Sequence, residues 1–227
     1  QRERTILMLE VLYEDNHLIA INKKSGDIVQ GDKTGDTPLS DFVKAYIKKK
    51  YNKPGEVFLG TIHRLDRPTS GIVLYARTSK ALTRMNEQFR NKEVQKTYWA
   101  VVDNLPPDNS GTLENYLQKN QKQNKSYVTK SNEGKHAVLE YKLLKKLDNF
   151  YFLEIKPKTG RHHQIRVQLA HIGCIIKGDL KYGAKRSNKD ASIHLLAQKL
   201  EFLHPVKKEA ISITAPAPKD SVWEACK

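Results

Sequence analysis

The stretch that most limits how this chain can fold is residues 63–71, His-Arg-Leu-Asp-Arg-Pro-Thr-Ser-Gly. Pro68 and Gly71 exclude a helix across it, and the apolar run at residues 72–76 that follows is typical of a buried strand. A loop braced by a strand therefore presents one carboxylate, Asp66, among basic side chains. Such a group is either a catalytic acid or half of an ordinary salt bridge, and the stretch alone favours the salt bridge.

The net charge of the chain indicates which kinds of molecule it binds. The 227 residues include 40 Lys and Arg against 25 Asp and Glu, a net charge of +15. This excess favours a polyanion, with nucleic acid as the first candidate, an anionic membrane surface as the second, and simple solubility as the remaining explanation. No apolar run approaches the roughly 18 residues that a membrane span needs. The two cysteines, Cys174 and Cys226, predict neither a disulfide framework nor a zinc site, and we expect a cytoplasmic protein.

Periodicity predicts a mixture of strands and helices. Strands are expected over residues 7–14, 17–22, 71–77, 94–102, 137–144, 150–155, 193–203 and 210–214. Helices are expected from Pro38 behind a Thr37 cap, over 79–91 with Ser79 as the cap, and over 162–172. Residues 118–131 predict a mobile loop or short ribbon with only Tyr127 and Val128 as core candidates. Strands and helices without regular alternation predict an α+β fold on one largely antiparallel sheet.

A second polar cluster lies at residues 158–166, Lys-Thr-Gly-Arg-His-His-Gln-Ile-Arg. Backbone N–H groups at a helix start favour anions, and Arg161 and His162 add to this, so phosphate binding and a merely exposed basic helix start are both open. Arg166 stands between Ile165 and Val167, which predicts a partly buried side chain. A buried arginine needs a partner, and a carboxylate fits it in a bidentate manner.

Together these segments resemble pseudouridine synthases of the RluA type. The resemblance covers nearly the whole chain and rests on motifs in order at residues 11–26, 63–71, 96–102, 159–166, 178–183 and 200–205. The chain departs from the family at Lys24-Ser25, where Pro-Ala is usual, and at Leu196, where His is usual. Neither departure touches the positions that match the family's catalytic residues.

The resemblance implies isomerisation of uridine in RNA to pseudouridine on the pseudouridine synthase fold, with an active-site cleft across the central sheet. It implies no cofactor and no metal, with ribosomal or transfer RNA as the partner and no membrane. We expect a monomer with a single catalytic domain over residues 1–227 and no S4-type RNA-binding domain within them.

The family pattern also implies roles for individual residues. Asp66 matches the essential carboxylate, which either adds to the ribose anomeric carbon or assists loss of a ribose proton to give a glycal. Arg166 is expected against Asp66, where its charge opposes the effect of burial on an ionised carboxylate. Tyr98 matches an active-site tyrosine that can stack on uracil and take part in proton transfer; the alternative is a core residue of a strand.

Further matches concern RNA binding. Arg64 matches an arginine that fills the space left by a flipped nucleotide, and flipping is needed because a stacked nucleotide shields its anomeric carbon. Lys96, Arg161 and His162 are candidates for contacts with the RNA backbone. Ile165 either lines the uracil pocket or is a core position of its helix.

Two rival functions follow from the same residues. A non-catalytic RNA-binding module with this fold would not need the combination of Asp66, Tyr98 and Arg166. A nucleoside hydrolase would need a second carboxylate to activate water. Asp179 is the weak candidate for that carboxylate, and we interpret it as a structural loop residue.

Overall fold

The computed structural model describes residues 8–227, which form two compact units. Unit 1 consists of the described residues up to Gln95 together with Lys199–Pro216, and unit 2 of Lys96–Gln198 with Ala217–Lys227. The strands are β1 Val11–Glu14, β2 Leu18–Lys23, β3 Gly60–Thr61, β4 Ser70–Ala76, β5 Gln95–Val102, β6 Ser110–Asn120, β7 Lys125–Thr129, β8 Lys135–Lys146, β9 Tyr151–Pro157, β10 Leu195–Leu203 and β11 Ala210–Thr214. The helices are α1 Leu39–Lys50, α2 Ser79–Arg90, α3 Gln164–His171 and α4 Ser221–Ala225. The predicted α+β class with mostly antiparallel pairing is confirmed.

In unit 1, β4 is the central strand of an antiparallel group. It pairs with β2 and β3, and β2 also pairs with β1. Every residue of β4 is buried, which explains its unbroken apolar sequence and confirms the predicted strand to within one residue. The register sets Lys23, at the end of β2, opposite Gly71. The strand predicted over residues 7–14 begins only at Val11, and its Leu7 lies outside the described residues.

Both helices of unit 1 form where predicted but begin differently. Pro38 rather than Thr37 occupies the cap position of α1, and no side chain caps it. The first N–H groups of α1 instead reach the preceding segment, where Leu39 N–H donates to the Ile28 carbonyl at 2.7 Å. Helix α2 is capped by Thr78 rather than Ser79, with its side chain accepting from the N–H of Ala81 at 3.1 Å. In each case, the acceptor of the first N–H groups determines where the helix begins: a preceding segment for α1 and the Thr78 side chain for α2.

Unit 2 contains an antiparallel sheet in the order β5-β9-β8-β6-β7. Helix α3 contacts β6 and β7, and its residues from Gln164 to Leu169 are buried. Ile165 and Leu169 of α3 join the core cluster formed with β5, β8 and β9. A helix buried on nearly all sides explains the weak amphipathic pattern of this segment.

Three features of unit 2 differ from the sequence prediction. Helix α3 begins at Gln164 rather than at residue 162, because His163 has a left-handed backbone with φ of 53°. The segment predicted as loop or ribbon is a ribbon, the β6–β7 hairpin. Within it Tyr127 is exposed, so its prediction as a core residue is wrong; Ser126 takes the buried position. Helix α4 was not predicted.

Among the residues that the structure describes, no helix is long and apolar enough to cross a membrane.

Candidate active site

The loop that carries Asp66 connects β3 to β4 in unit 1. Asp66 is half-buried, and its backbone carbonyl accepts the N–H of Thr69 at 2.9 Å, which closes a tight turn. Gly71, the second residue of β4, has φ of 118°, a conformation that favours glycine. The carboxylate is thus presented from a short loop fixed to a buried strand.

The two arginines that flank Asp66 have different environments. Arg67 Nη1 donates to the Gly26 carbonyl at 3.2 Å and pairs with Asp36 at 2.9 Å. Its own carbonyl accepts the N–H of Gly26 at 2.9 Å. Arg67 therefore ties the loop to the turn after β2, whereas Arg64 is exposed to solvent.

Sequence reasoning missed Lys23 as a member of this site. The residue is 1% exposed, and its Nζ donates to the carbonyls of Lys24 at 2.9 Å and Arg67 at 3.0 Å. Burial lowers the pKa of Lys23 to about 8, against the opposing negative charges of Asp27 and Asp66. The positive charge of buried Lys23 therefore favours the ionised form of Asp66. Lys23 is the last residue of β2, and the pairing of β2 with β4 places it opposite Gly71 in the interior, which local sequence does not reveal.

In unit 2, Asp179 is a bidentate carboxylate partner of Arg166, and the contact predicted between Arg166 and Asp66 stays a prediction. Nε and Nη2 of Arg166 donate to the two carboxylate oxygens of Asp179, each at 2.8 Å. The two side chains are 5% and 1% exposed. Asp179 therefore has a structural role, as interpreted from the sequence. That role is to bind and orient Arg166, a predicted site residue. The guanidinium also lies over the ring of Tyr182, with 5.1 Å from Cζ to the ring centroid.

Tyr182 links this pair to the start of α3. Its hydroxyl accepts the N–H of Ser126 at 2.9 Å and lies 2.7 Å from Nδ1 of His163. Burial, with the nearby charge of Arg166, lowers the pKa of His163 to about 2. The imidazole is neutral at physiological pH, so a polar rather than a charged contact holds the left-handed residue in place.

His162 stacks on His163, with 3.7 Å between the ring centroids. Its Nδ1 lies 2.7 Å from Ser126 Oγ and its Nε2 3.1 Å from Asn124 Oδ1. Burial, followed by the positive charges of Lys119 and Arg166, lowers the pKa of His162 to about 4. The ring is therefore neutral at physiological pH and anchors the β6–β7 hairpin to α3. The RNA contact predicted for His162 stays a prediction.

The other predicted site residues of unit 2 lie near the start of α3 or in the core beside it. Arg161 Nε donates to the carbonyl of His136 at 2.7 Å. A Cβ on Gly160 would lie 3.5 Å from Nζ of Lys96, which places that ammonium beside the turn before α3, and burial lowers its pKa. Tyr98 packs against the core cluster that contains Ile165. Tyr98 and Ile165 therefore both contact the core, which is the alternative that the sequence left open for each. Their roles in binding substrate stay predictions.

Within residues 8–227, no cluster of three or more His, Cys, Asp or Glu side chains could hold a metal ion.

A family model described as RNA pseudouridylate synthase matches residues 17–171, well over half of the chain. This chain belongs to the RNA pseudouridylate synthase family. The synthase is thus an RNA-modifying isomerase, as the resemblance implied.

Named relatives agree with this assignment. Ribosomal large subunit pseudouridine synthase C of Buchnera aphidicola subsp. Acyrthosiphon pisum is 36% identical over 220 residues, which cover 93% of this chain and 68% of the relative. Ribosomal large subunit pseudouridine synthase D of Xylella fastidiosa is 34% identical over 225 residues, covering 93% of this chain and 67% of the relative. The synthase therefore spans about two thirds of the length of these relatives.

A solved structure shares the fold. Human RNA pseudouridylate synthase domain containing 4 superposes with a TM-score of 0.82 at 24% sequence identity, covering 100% of this chain and 95% of that one. At this identity the likeness shows the pseudouridine synthase fold alone.

Proposed function

We propose that the synthase converts specific uridines of ribosomal RNA to pseudouridine with Asp66 as the essential carboxylate. The observation that carries the choice of RNA is the similarity to relatives named for the large ribosomal subunit. The high positive charge suits a polyanionic substrate. Transfer RNA is the second substrate class to be tested.

The reaction is an isomerisation in which atoms balance without an added reagent. The bond from ribose C1′ to N1 of uracil breaks, the base turns, and a bond from C1′ to C5 forms. C5 loses its proton and N1 gains one. A carboxylate promotes this either by adding to C1′ or by assisting loss of a ribose proton, and both routes need Asp66 ionised. The buried charge of Lys23 favours that form.

The roles proposed for the other residues extend this scheme. Tyr98 provides a phenol for stacking on uracil and for proton transfer, and Arg64 enters the stack when the target nucleotide is flipped. Lys96, Arg161 and His162 contact the RNA backbone, and Ile165 lines the uracil pocket. Arg166 stabilises ionised Asp66. A double-mutant cycle of Asp66→Asn and Arg166→Met tests this contact through the free energy of RNA binding. The two changes should be non-additive if the side chains interact, and additive changes would contradict the contact.

Release of tritium from carbon 5 of labelled uridine tests the activity and the carboxylate together. Wild type should release tritium to water from ribosomal RNA, whereas Asp66→Asn should release none because the isosteric amide cannot act as a nucleophile or base. Release by wild type distinguishes an enzyme from a pure binding module, and retained RNA binding by Asp66→Asn would show that the lost activity is not lost binding. Asp148→Asn, at an exposed turn, is the matched control and should retain full release.

Each contrary outcome removes a different part of the proposal. No release by wild type from any RNA pool would refute the activity, and full release by Asp66→Asn would refute the catalytic assignment. Release from transfer RNA alone would exclude ribosomal RNA as the substrate.

We further propose that the synthase is cytoplasmic, on the basis of its bacterial relatives named for the ribosome, and that it is a monomer. Sedimentation velocity of the free protein at the mass of one 26.0 kDa chain would support the monomer, and a larger species would refute it.

A further inference from the structure

The solvent-facing side of the β6–β7 hairpin and of β8 carries an aromatic surface that the proposed function does not use. Opposed residues of antiparallel strands point to the same side of a sheet. Tyr127 is opposite Gln118, while Tyr116 is opposite both Thr129 of β7 and His136 of β8. We call Lys125, Tyr127, Gln118, Tyr116 and His136 the ribbon face.

The rings of the ribbon face are available to a ligand. Tyr127 is 41% exposed, although its neighbour Ser126 on the same strand is 2% exposed. Tyr116 is partly exposed, and its ring centroid lies 5.4 Å from that of His136. Exposed aromatic side chains side by side on a sheet are a platform on which unpaired bases of RNA can stack.

Positive charge accompanies the rings at one end of the ribbon face. Nζ of Lys125 lies 5.2 Å from the ring centroid of Tyr127. The segment from Ser110 to Lys135 contains five lysines against two glutamates. Glu114 pairs with His136 at 2.5 Å, so the far end carries a carboxylate. The charges therefore favour a polyanion at Tyr127 and Lys125 rather than at His136, and an aromatic ring beside a cation suits a base and its phosphate.

The ribbon face is also fixed to the proposed catalytic region of unit 2. Ser126 points to the opposite side of β7 from Tyr127, and its N–H and Oγ reach Tyr182 and His162. Lys125 lies 5.3 Å from the ring centroid of Tyr182, and Arg166 lies over the same ring. A strand of RNA held on Tyr127 is thus held at a set distance from the segment that carries Arg161 and Arg166.

We propose that the ribbon face binds a single-stranded segment of the RNA substrate that flanks the target uridine, with a base stacked on Tyr127 and a phosphate near Lys125. This site rests on RNA being the substrate of the synthase. It determines which RNA is held for reaction rather than the reaction itself.

Binding of a fluorescein-labelled uridine oligonucleotide, followed by anisotropy, tests the ribbon face. Tyr127→Ala should weaken binding about 5- to 150-fold, the range expected for loss of one base–aromatic stack, whereas Tyr127→Phe should bind like wild type. Lys125→Gln should weaken binding and reduce the slope of log affinity against log salt by about 0.7, as for one phosphate contact with a single strand.

Matched controls come from unit 1. Phe58→Ala removes an aromatic side chain that is 47% exposed, and Lys80→Gln removes an exposed lysine from α2. Neither should change RNA affinity. Circular dichroism of every variant checks that it is folded.

The proposal is overturned if Tyr127→Ala binds like wild type, if Tyr127→Phe loses as much affinity as Tyr127→Ala, or if Phe58→Ala loses as much. Tritium release by wild type is measured in the same preparation. A failure of that release refutes the proposed function while the binding comparison still decides the ribbon face.

Discussion

At the scale of single residues, the Arg166–Asp179 pair shows how a buried charge is maintained. Both side chains are almost completely buried, and two hydrogen bonds of 2.8 Å join them. Such a pair adds little stability compared with apolar residues, but removal of one partner leaves an uncompensated charge in the interior. Asp179 therefore keeps Arg166 in place, and Arg166 is the residue proposed to stabilise ionised Asp66.

Asp179→Asn should destabilise the synthase by about 3–5 kcal/mol, because the guanidinium loses its buried counter-charge. Urea denaturation followed by tryptophan fluorescence measures this loss. Asp148→Asn is the control and should change the free energy of unfolding by less than about 0.5 kcal/mol, as for an exposed position. An equally small change in Asp179→Asn would contradict the importance of the pair.

Lys23 is the second residue whose charge is predicted to matter. Its pKa of about 8 means that it loses its charge in mildly alkaline solution. Below that pH its charge favours ionised Asp66, so tritium release by wild type should rise to its maximum at a lower pH than in a variant with a neutral residue 23.

Lys23→Met should need a higher pH than wild type to reach its maximal rate, because the acid form of Asp66 is no longer disfavoured by a neighbouring cation. Lys24→Met changes an exposed neighbour and should keep the profile of wild type. Identical pH profiles for Lys23→Met and wild type would exclude the electrostatic role.

At the scale of elements, the hydroxyl of Tyr182, in the 3-10 helix Leu180–Tyr182, joins that segment to the β6–β7 hairpin and to the start of α3. Tyr182 OH accepts from the β7 strand at Ser126 and contacts His163 at the start of α3. The N–H of Ser126 is buried, so it cannot exchange this acceptor for water without opening of the hairpin.

Tyr182→Phe should destabilise the synthase by about 1–3 kcal/mol, the cost of leaving a buried donor unsatisfied. Hydrogen exchange should become faster at residues 125–129 than elsewhere in unit 2, because the β6–β7 hairpin loses its attachment to α3. Tyr151→Phe, in β9, is the control. Uniform exchange across unit 2 in Tyr182→Phe would show that the hydroxyl is not a specific attachment.

At the scale of the whole molecule, two neutral histidines make stability depend on pH. In the folded state the pKa of His162 is about 4 and that of His163 about 2, against 6.5 as the ordinary value. Below pH 6.5 the unfolded chain therefore binds protons that the folded protein does not, so the folded state loses stability as the pH falls.

The melting temperature should accordingly decrease from pH 6.5 downward, with the contribution of His162 complete near pH 4 and that of His163 continuing below it. His162→Gln and His163→Asn should each flatten this dependence, because each removes one such proton. His171→Gln, at an exposed position, should leave it unchanged. Melting curves in buffers of matched ionic strength measure the slope, and an unaltered slope in both variants would exclude these histidines as its origin.

Local patterns were sufficient for most elements. The apolar run after Gly71 determined β4, and helical spacing determined α1 and α2 to within a residue or so. Boundaries were less predictable, because several residues near each end can act as the cap and tertiary hydrogen bonds choose among them. The start of α3 is such a case, since His163 adopts its left-handed backbone where Tyr182 contacts its ring.

The sequence by itself determined the fold class, the family and the candidate residues, because these depend on motifs that remain in order along the chain. Tertiary structure decided which charges are buried and what faces them. Asp179 is thirteen residues from Arg166, and Lys23 is forty-four from Arg67, so neither contact is visible in local periodicity. Tyr127 and Ser126 exchange their expected places because strand pairing, rather than hydrophobicity, sets which side of the ribbon each faces.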